Sequence, residues 1–148
     1  MTKPTRPHAT MLKFGYPESL VREYGHWVVM GRPHQATLGA LVLACKEDAQ
    51  AFSDISEAAF AELGRVIGDI EAGLGRFHAY DKINYLMLMM IDREVHFHVL
   101  PRYSAAREFA GESFEDPGWP AAPDLSAGPT LDEEALSKLV KELQAVWG

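Results

Sequence analysis

The sequence predicts an α+β fold in which a mainly antiparallel sheet carries a packed central helix and a C-terminal helix. Three observations support this prediction. Short apolar runs occur in two pairs, a long segment with helical periodicity lies between the pairs, and a second helical segment closes the chain. The length of 148 residues fits a single domain, residues 1–148, with a substantial core.

The first part of the chain predicts an arm followed by two strands. Residues 1–18 contain three prolines, which favour extended backbone, so we expect an extended N-terminal arm. The apolar runs at 27–30 and 39–45 are short and bounded by turn-forming or polar residues. Both features are typical of buried strands.

A long amphipathic helix is predicted after these strands. Ser56 can cap it, and Glu57 lies favourably in its first turn. Gly73 and the glycine two residues later mark its expected end. Gly64 and Gly68 lie inside it, at a spacing that permits close approach by another element. Its apolar stripe consists of Phe60, Leu63, Val66, Ile67, Ile70 and Leu74.

The second half of the chain predicts a hairpin, a long loop and a helix. Residues 83–90 form an apolar strand, and residues 91–93 are short enough to turn the chain into the next strand. Residues 104–129 hold four prolines and three glycines and predict a long ordered loop. Residues 130–147 predict the C-terminal helix, with Thr130 and Glu133 as a capping box.

The strand Glu94-Val95-His96-Phe97-His98-Val99-Leu100-Pro101-Arg102 carries the chemistry. Side chains alternate between the two faces of a strand, so Glu94, His96 and His98 share one face. The apolar residues between them form a stripe for the core. Imidazole is a nucleophile, a proton carrier and a metal ligand at neutral pH. Two imidazoles side by side therefore predict a functional site.

This strand resembles the signature of the histidine triad family, His-φ-His-φ-His-φ-φ with φ apolar, which lines a nucleotide α-phosphate. The resemblance covers about residues 20–103. It places His96 on the middle, nucleophilic histidine and His98 on the third, while Glu94 occupies the first position. It implies a long helix packed on an antiparallel sheet, a homodimer, and catalysis through a nucleotidyl-histidine intermediate.

The resemblance also guides the choice of substrate-binding residues. His96 and His98 are the expected catalytic pair, and we expect cations near them to offset the charge of a phosphate. The candidate contacts to substrate are Asn84, Arg102, Lys82 and Trp119, and further cations close in sequence are Arg93 and Arg107.

Two departures from the family pattern leave the role of the site open. Glu94 can repel a phosphate, raise the basicity of a neighbouring imidazole, or point to solvent. Many relatives carry a Gly-rich phosphate loop before the triad, whereas residues 89–93 contain no Gly, Gln or Ser. The resemblance implies a nucleotide hydrolase or nucleotidyl transferase that attacks a nucleoside α-phosphate. The alternative is a nucleotide-binding protein of the same type without catalysis.

A zinc-dependent protein is the third class considered. His96 and His98 can supply two ligands, and a third would have to come from Glu94, His26, His34 or His78. No cysteine pair or His-Glu-x-x-His motif supports such a site. We therefore expect no metal and no cofactor. The resemblance implies a dinucleoside polyphosphate or a nucleoside phosphoramidate as substrate.

Composition narrows the partners. A net charge of −7 argues against nonspecific binding of nucleic acid. No apolar run approaches the roughly 20 residues of a membrane span, and no signal peptide is visible. The lone Cys45 suits a reducing, cytoplasmic location. The partners that the resemblance implies are a purine nucleotide or dinucleotide and a second copy of the chain.

Overall fold

The computed structural model describes residues 6–148 and has the predicted α+β architecture, with a five-stranded antiparallel sheet and a separate two-stranded hairpin. The large sheet has the strand order β1-β2-β3-β5-β4. In chain order the elements are α1 (Ala9–Lys13), β1 (Leu20–Glu23), β2 (Trp27–Gly31), β3 (Leu41–Cys45), α2 (Glu57–Phe77), β4 (Lys82–Leu86), β5 (His96–Arg102), β6 (Arg107–Phe109), β7 (Glu112–Phe114) and α3 (Glu133–Val146).

One face of the large sheet packs against α2 and carries the main core. Val29, Leu43 and Val99 point to this face. The α2 residues of the same core are Leu63, Val66, Ile70 and Leu74, whereas Phe60 of the predicted stripe is 43% exposed. Trp27 ties β2 to the helix, because its indole N–H donates to the carbonyl of Ala59 at 2.8 Å. Burial of this continuous apolar surface is the main driving force for the fold.

The other face of the sheet carries the histidines. The register places His96 of β5 opposite Ala44 of β3, and His98 opposite Val42. Because β5 lies between β3 and β4, His98 is paired on both sides, with Leu86 of β4 as its second partner. His96 lies beyond the end of β4 and is paired with β3 alone. Helix α1 covers the neighbouring part of this face through the buried side chain of Met11.

Helix α2 begins where the sequence predicts and ends later. Ser56 caps it by accepting a hydrogen bond from the amide of Ala59. It continues past Gly73 to Phe77, so the expected end at residues 73–75 is wrong. A Cβ at Gly73 would lie 2.6 Å from the Trp147 ring. This glycine permits close packing of the C-terminal segment instead of ending the helix.

The N-terminal arm is not extended over its described part. Residues 1–5 lie outside the described residues, and α1 forms within residues 6–18. His8 caps α1 by accepting from the amide of Met11 at 3.4 Å. Burial of the Met11 side chain stabilises the helix despite its short length. The proline content of the arm gives no information about this long-range contact. Strand β1, Leu20–Glu23, was also missed by the sequence analysis.

Three further boundaries differ from expectation. Strand β4 ends at Leu86, so residues 87–95 form a longer connection than the predicted turn at 91–93. The loop at 104–129 contains the hairpin β6–β7, which buries Phe109 and Phe114. Helix α3 begins at Glu133 with Asp132 as its cap, because the Asp132 carboxylate accepts from Ala135 N. The predicted Thr130 capping box is therefore wrong.

No helix within residues 6–148 is both long enough and apolar enough to cross a lipid bilayer.

Candidate active site

The two histidines of β5 form the centre of the site. Their ring centroids are 5.1 Å apart, and the ring planes lie at 83° to each other. Val99 packs in the core beneath α2, whereas His96 and His98 face the opposite side, as strand alternation predicts. Both imidazoles are buried, with 1% and 7% of their surfaces exposed.

A backbone hydrogen bond fixes the orientation of His96. Its Nδ1 lies 2.6 Å from the carbonyl oxygen of Glu94. A carbonyl oxygen only accepts, so Nδ1 carries the hydrogen. The neutral ring then holds its lone pair on Nε2. Nucleophilic attack or metal binding by a neutral imidazole requires such a lone pair.

His98 is neutral at physiological pH. Burial lowers its pKa to about 4, and the positive charges of Arg32 and a protonated His96 act in the same direction. Asp92 opposes this effect and Lys13 adds to it. The Nδ1 atom of His98 is buried and has no hydrogen-bond partner within residues 6–148. Such an orphaned polar atom commonly finds its partner in a ligand or an ordered water.

A cavity of about 280 Å³ opens above the two histidines. This volume is near the lower end of the range for small-molecule sites. Its polar walls are Lys13, Arg32, Asp92, His96 and His98. Its apolar walls are Phe14, Leu88, Met89, Met90, Ile91 and Leu125.

Phe14 packs directly against the two histidines. Its ring centroid is 6.0 Å from that of His96 and 5.6 Å from that of His98. The adjacent Lys13 donates a hydrogen bond to Asp92 at 2.9 Å. The N-terminal segment therefore forms one wall of the cavity.

Arg32 supplies a partly buried positive charge to the cavity. Burial lowers the pKa of its guanidinium, whose Nη1 donates to the carbonyl of His34 at 2.8 Å. Its Nε is buried and has no partner within the described part of the chain. A guanidinium with free donors beside a neutral imidazole is suited to an anion.

Glu94 does not line the cavity and does not point to solvent. Its carboxylate accepts hydrogen bonds from the amide and the hydroxyl of Thr10, at 3.1 and 3.0 Å. The side chain is thus committed to α1. Of the three roles predicted for Glu94 from the sequence, exposure to solvent is wrong. Direct repulsion of a phosphate in the cavity is not expected either, since the Glu94 carboxylate is not a wall of the cavity.

The other predicted substrate contacts lie away from the cavity. Arg102 is 3% exposed and forms a two-pronged ion pair with Asp116, at 2.7 and 3.0 Å. It also donates to Asn84 at 2.8 Å. Lys82 is exposed opposite Arg102, and Trp119 is half-buried. None of the four predicted contacts is a wall of the cavity above the histidines.

The cations at the site were not found from the sequence. Lys13 and Arg32 line the cavity, whereas Arg93, Arg102, Arg107 and Lys82 do not. Arg32 directly follows the apolar run of β2, and a charged residue at a strand end was an available signal. No local sequence signal marks Lys13 and Phe14 as site residues, because only the fold of the N-terminal arm brings them to β5.

The ligand set proposed for zinc does not assemble. No group of three His, Cys, Asp or Glu side chains suited to a metal ion occurs within residues 6–148. Glu94 is bound to Thr10, and His34 lies 2.8 Å from the carbonyl of Ala127.

The fold closely matches several solved structures. A histidine triad protein from Sinorhizobium meliloti 1021 superposes with a TM-score of 0.74 at 18% identity, covering 99% of each chain. One from Marinobacter aquaeolei VT8 gives 0.73 at 16% identity, covering 98% of this chain and 97% of that one. A diadenosine triphosphate hydrolase from Plasmodium falciparum gives 0.61 at 7% identity, covering 87% and 76%.

No protein-family model and no curated protein sequence matches the chain. The structural likeness extends over the whole sheet, both long helices and the strand that carries His96 and His98. The chain therefore has the fold of the histidine triad proteins.

Proposed function

We propose that the protein is a nucleotide hydrolase or nucleotidyl transferase that attacks a nucleoside α-phosphate through His96. The observation that carries this proposal is the 2.6 Å contact between His96 Nδ1 and the Glu94 carbonyl. This contact places the lone pair on Nε2 and holds the ring still. Preorganisation of the nucleophile lowers the entropic cost of attack.

The reaction proceeds in two displacements. Nε2 of His96 forms a bond to the α-phosphorus, and the bond from phosphorus to the leaving group breaks with its electron pair on the leaving group. Water or another acceptor then attacks phosphorus and releases the nucleotide from Nε2, and the acceptor loses a proton to solvent. Division into two steps lowers each barrier.

Arg32, Lys13 and His98 support binding of the phosphate, while the remaining polar wall, Asp92, is paired with Lys13. Arg32 supplies a guanidinium with an unpaired Nε, and Lys13 supplies an ammonium group. His98 adds a hydrogen bond from its ring to a phosphate oxygen or to the leaving group. Because His98 is neutral at pH 7, it contributes a hydrogen bond rather than a full charge.

A non-catalytic nucleotide-binding protein is the second candidate. The connection before the histidines favours it, since Leu88, Met90 and Ile91 stand at the rim of the cavity and are exposed. These apolar side chains provide no hydrogen-bond donors to a phosphate. A binding protein would retain affinity for the nucleotide and form no covalent intermediate.

A substrate screen tests the proposal. Diadenosine and diguanosine polyphosphates and nucleoside phosphoramidates are incubated with the protein, and release of the monophosphate is measured. We expect turnover of at least one class, its loss in His96→Ala, and its retention in the matched control His26→Ala. Wild-type turnover by His96→Ala would contradict the assignment. Nucleotide binding without turnover would favour the second candidate.

A further inference from the structure

The segment from His8 to Phe14, the N-terminal wall, packs on the face of the sheet that carries the histidines. Met11 is fully buried against β2 and β3. His8 is also buried, and its Nε2 donates to the carbonyl of Cys45 at 2.7 Å. Its Nδ1 accepts from the amide of Met11 at 3.4 Å, so both ring nitrogens are held by the backbone.

The side chain of Glu94 connects this wall by hydrogen bonds to the strand that carries the histidines. Oε1 of Glu94 accepts from both donors of Thr10, a residue 84 positions earlier in the chain. Glu94 is 8% exposed and Thr10 is 1% exposed, so water competes little for these bonds. Nδ1 of His8 lies 3.7 Å from the same carboxylate oxygen, which is too far for a hydrogen bond. The two Thr10 bonds therefore provide the hydrogen-bonded connection.

The same residue also holds the nucleophile. The main-chain oxygen of Glu94 binds His96 Nδ1, while its side chain binds Thr10. Three and four residues after Thr10, Lys13 and Phe14 reach the cavity at the C-terminal end of α1. Glu94 thus lies at the junction of the nucleophile and the wall that faces it.

We propose that Glu94 is a positioning residue, which anchors the N-terminal wall so that Phe14 and Lys13 are held beside His96 and His98. This inference rests on the proposed function and gives the residue at the first triad position a constructive task. Glu94 acts through Thr10 as a hydrogen-bond acceptor, so its charge is not required at the cavity. Glu94→Gln keeps an acceptor oxygen, whereas Glu94→Ala removes it.

Hydrogen exchange tests the anchor without any substrate. In Glu94→Ala we expect the amides of Thr10 and Phe14 to exchange about tenfold faster or more, since the buried hydrogen bonds to the Glu94 side chain restrain local opening. Glu94→Gln should remain near wild type. The matched control Glu108→Ala removes an exposed carboxylate of the β6–β7 hairpin and should leave these amides unchanged. Unchanged exchange in Glu94→Ala would overturn the proposal.

Titration of His98 reports on the position of the N-terminal wall relative to this imidazole. Phe14 shields this imidazole from water, and Arg32, His96, Asp92 and Lys13 are the charged or titratable groups that act on it. We expect the His98 pKa, followed by NMR, to rise toward its ordinary value in Glu94→Ala and to stay low in Glu94→Gln. Equal behaviour of the two variants would overturn the role of the acceptor.

Kinetics test the consequence for substrate. With the best substrate found in the screen, Glu94→Ala should raise KM about tenfold and change kcat less, because the wall binds substrate and does not react. Thr10→Val keeps the side-chain shape and removes the hydroxyl hydrogen bond. As a single variant it should raise KM, but in the Glu94→Ala background it should add little further increase. A higher kcat/KM in Glu94→Ala would overturn the proposal, since the wall would then obstruct the site.

The outcomes separate this inference from the proposed function. If no substrate is turned over, the exchange and titration experiments still decide whether Glu94 anchors the wall. If His96→Ala abolishes turnover and Glu94→Ala behaves as wild type in every measurement, the proposed function stands and the positioning role fails. Misfolding of Glu94→Ala would leave Thr10→Val as the deciding variant, with the same expected direction.

Discussion

The buried state of His98 predicts a large pH dependence of stability that a single substitution should remove. Its pKa is about 4 in the folded protein, against an ordinary value of 6.5 in the unfolded chain. Between these values the unfolded chain binds a proton that the folded protein does not. The free energy of unfolding therefore falls as the pH falls from about 6.5 toward 4.

The magnitude follows from the two pKa values. At pH 5 the unfolded imidazole is almost fully protonated, whereas the folded one is mostly neutral. The linkage relation then gives a loss of about 2 kcal/mol between pH 7 and pH 5 from this one residue. Most of the shift comes from burial beneath Phe14 and beside Arg32, so it should survive at moderate salt.

Urea unfolding of wild type and His98→Gln at the two pH values isolates this contribution. Other titrating groups are common to both proteins and cancel in the difference. We expect wild type to lose about 2 kcal/mol more than His98→Gln on going from pH 7 to pH 5. A difference below about 0.5 kcal/mol, together with an ordinary His98 pKa by NMR, would refute the description of His98 as a buried neutral imidazole.

Three other predictions concern different parts of the molecule. Arg32→Gln should raise KM for a nucleotide substrate about tenfold, since a charge-assisted contact to phosphate is lost, and should raise the His98 pKa. Gly73→Ala should destabilise the protein by about 1–3 kcal/mol in urea unfolding, because a Cβ there would lie 2.6 Å from the Trp147 ring. The chain should be a homodimer by light scattering at micromolar concentration, with the open positions beside Gly64 and Gly68 available to a second copy; a monomer mass would contradict this.

The sequence predicted what depends on local pattern. Strand alternation placed His96 and His98 on one face, and helical periodicity with Ser56 as cap placed the start of α2. Each of these signals is contained in a few neighbouring residues. Their spacing is dictated by backbone geometry alone.

What the sequence did not predict depends on contacts between distant segments. Thr10 and Glu94 are 84 positions apart, and only the folded chain shows that they bind. The same holds for Arg102, which appeared free to meet a phosphate until Asp116 of the long loop was found to neutralise it. No local pattern distinguishes a cation that awaits a ligand from one that is already paired.

The identity of the nucleophile is tested most directly by trapping the covalent intermediate. The protein is mixed with an adenosine phosphoramidate or diadenosine polyphosphate, quenched in denaturant at alkaline pH, where a phosphoramidate bond survives, and examined by intact mass and peptide mapping. We expect one adenylyl group per chain on His96 in the wild-type protein. The adduct should be absent from His96→Ala and present in His26→Ala. Turnover without an adduct on His96, or an adduct on another residue, would contradict it.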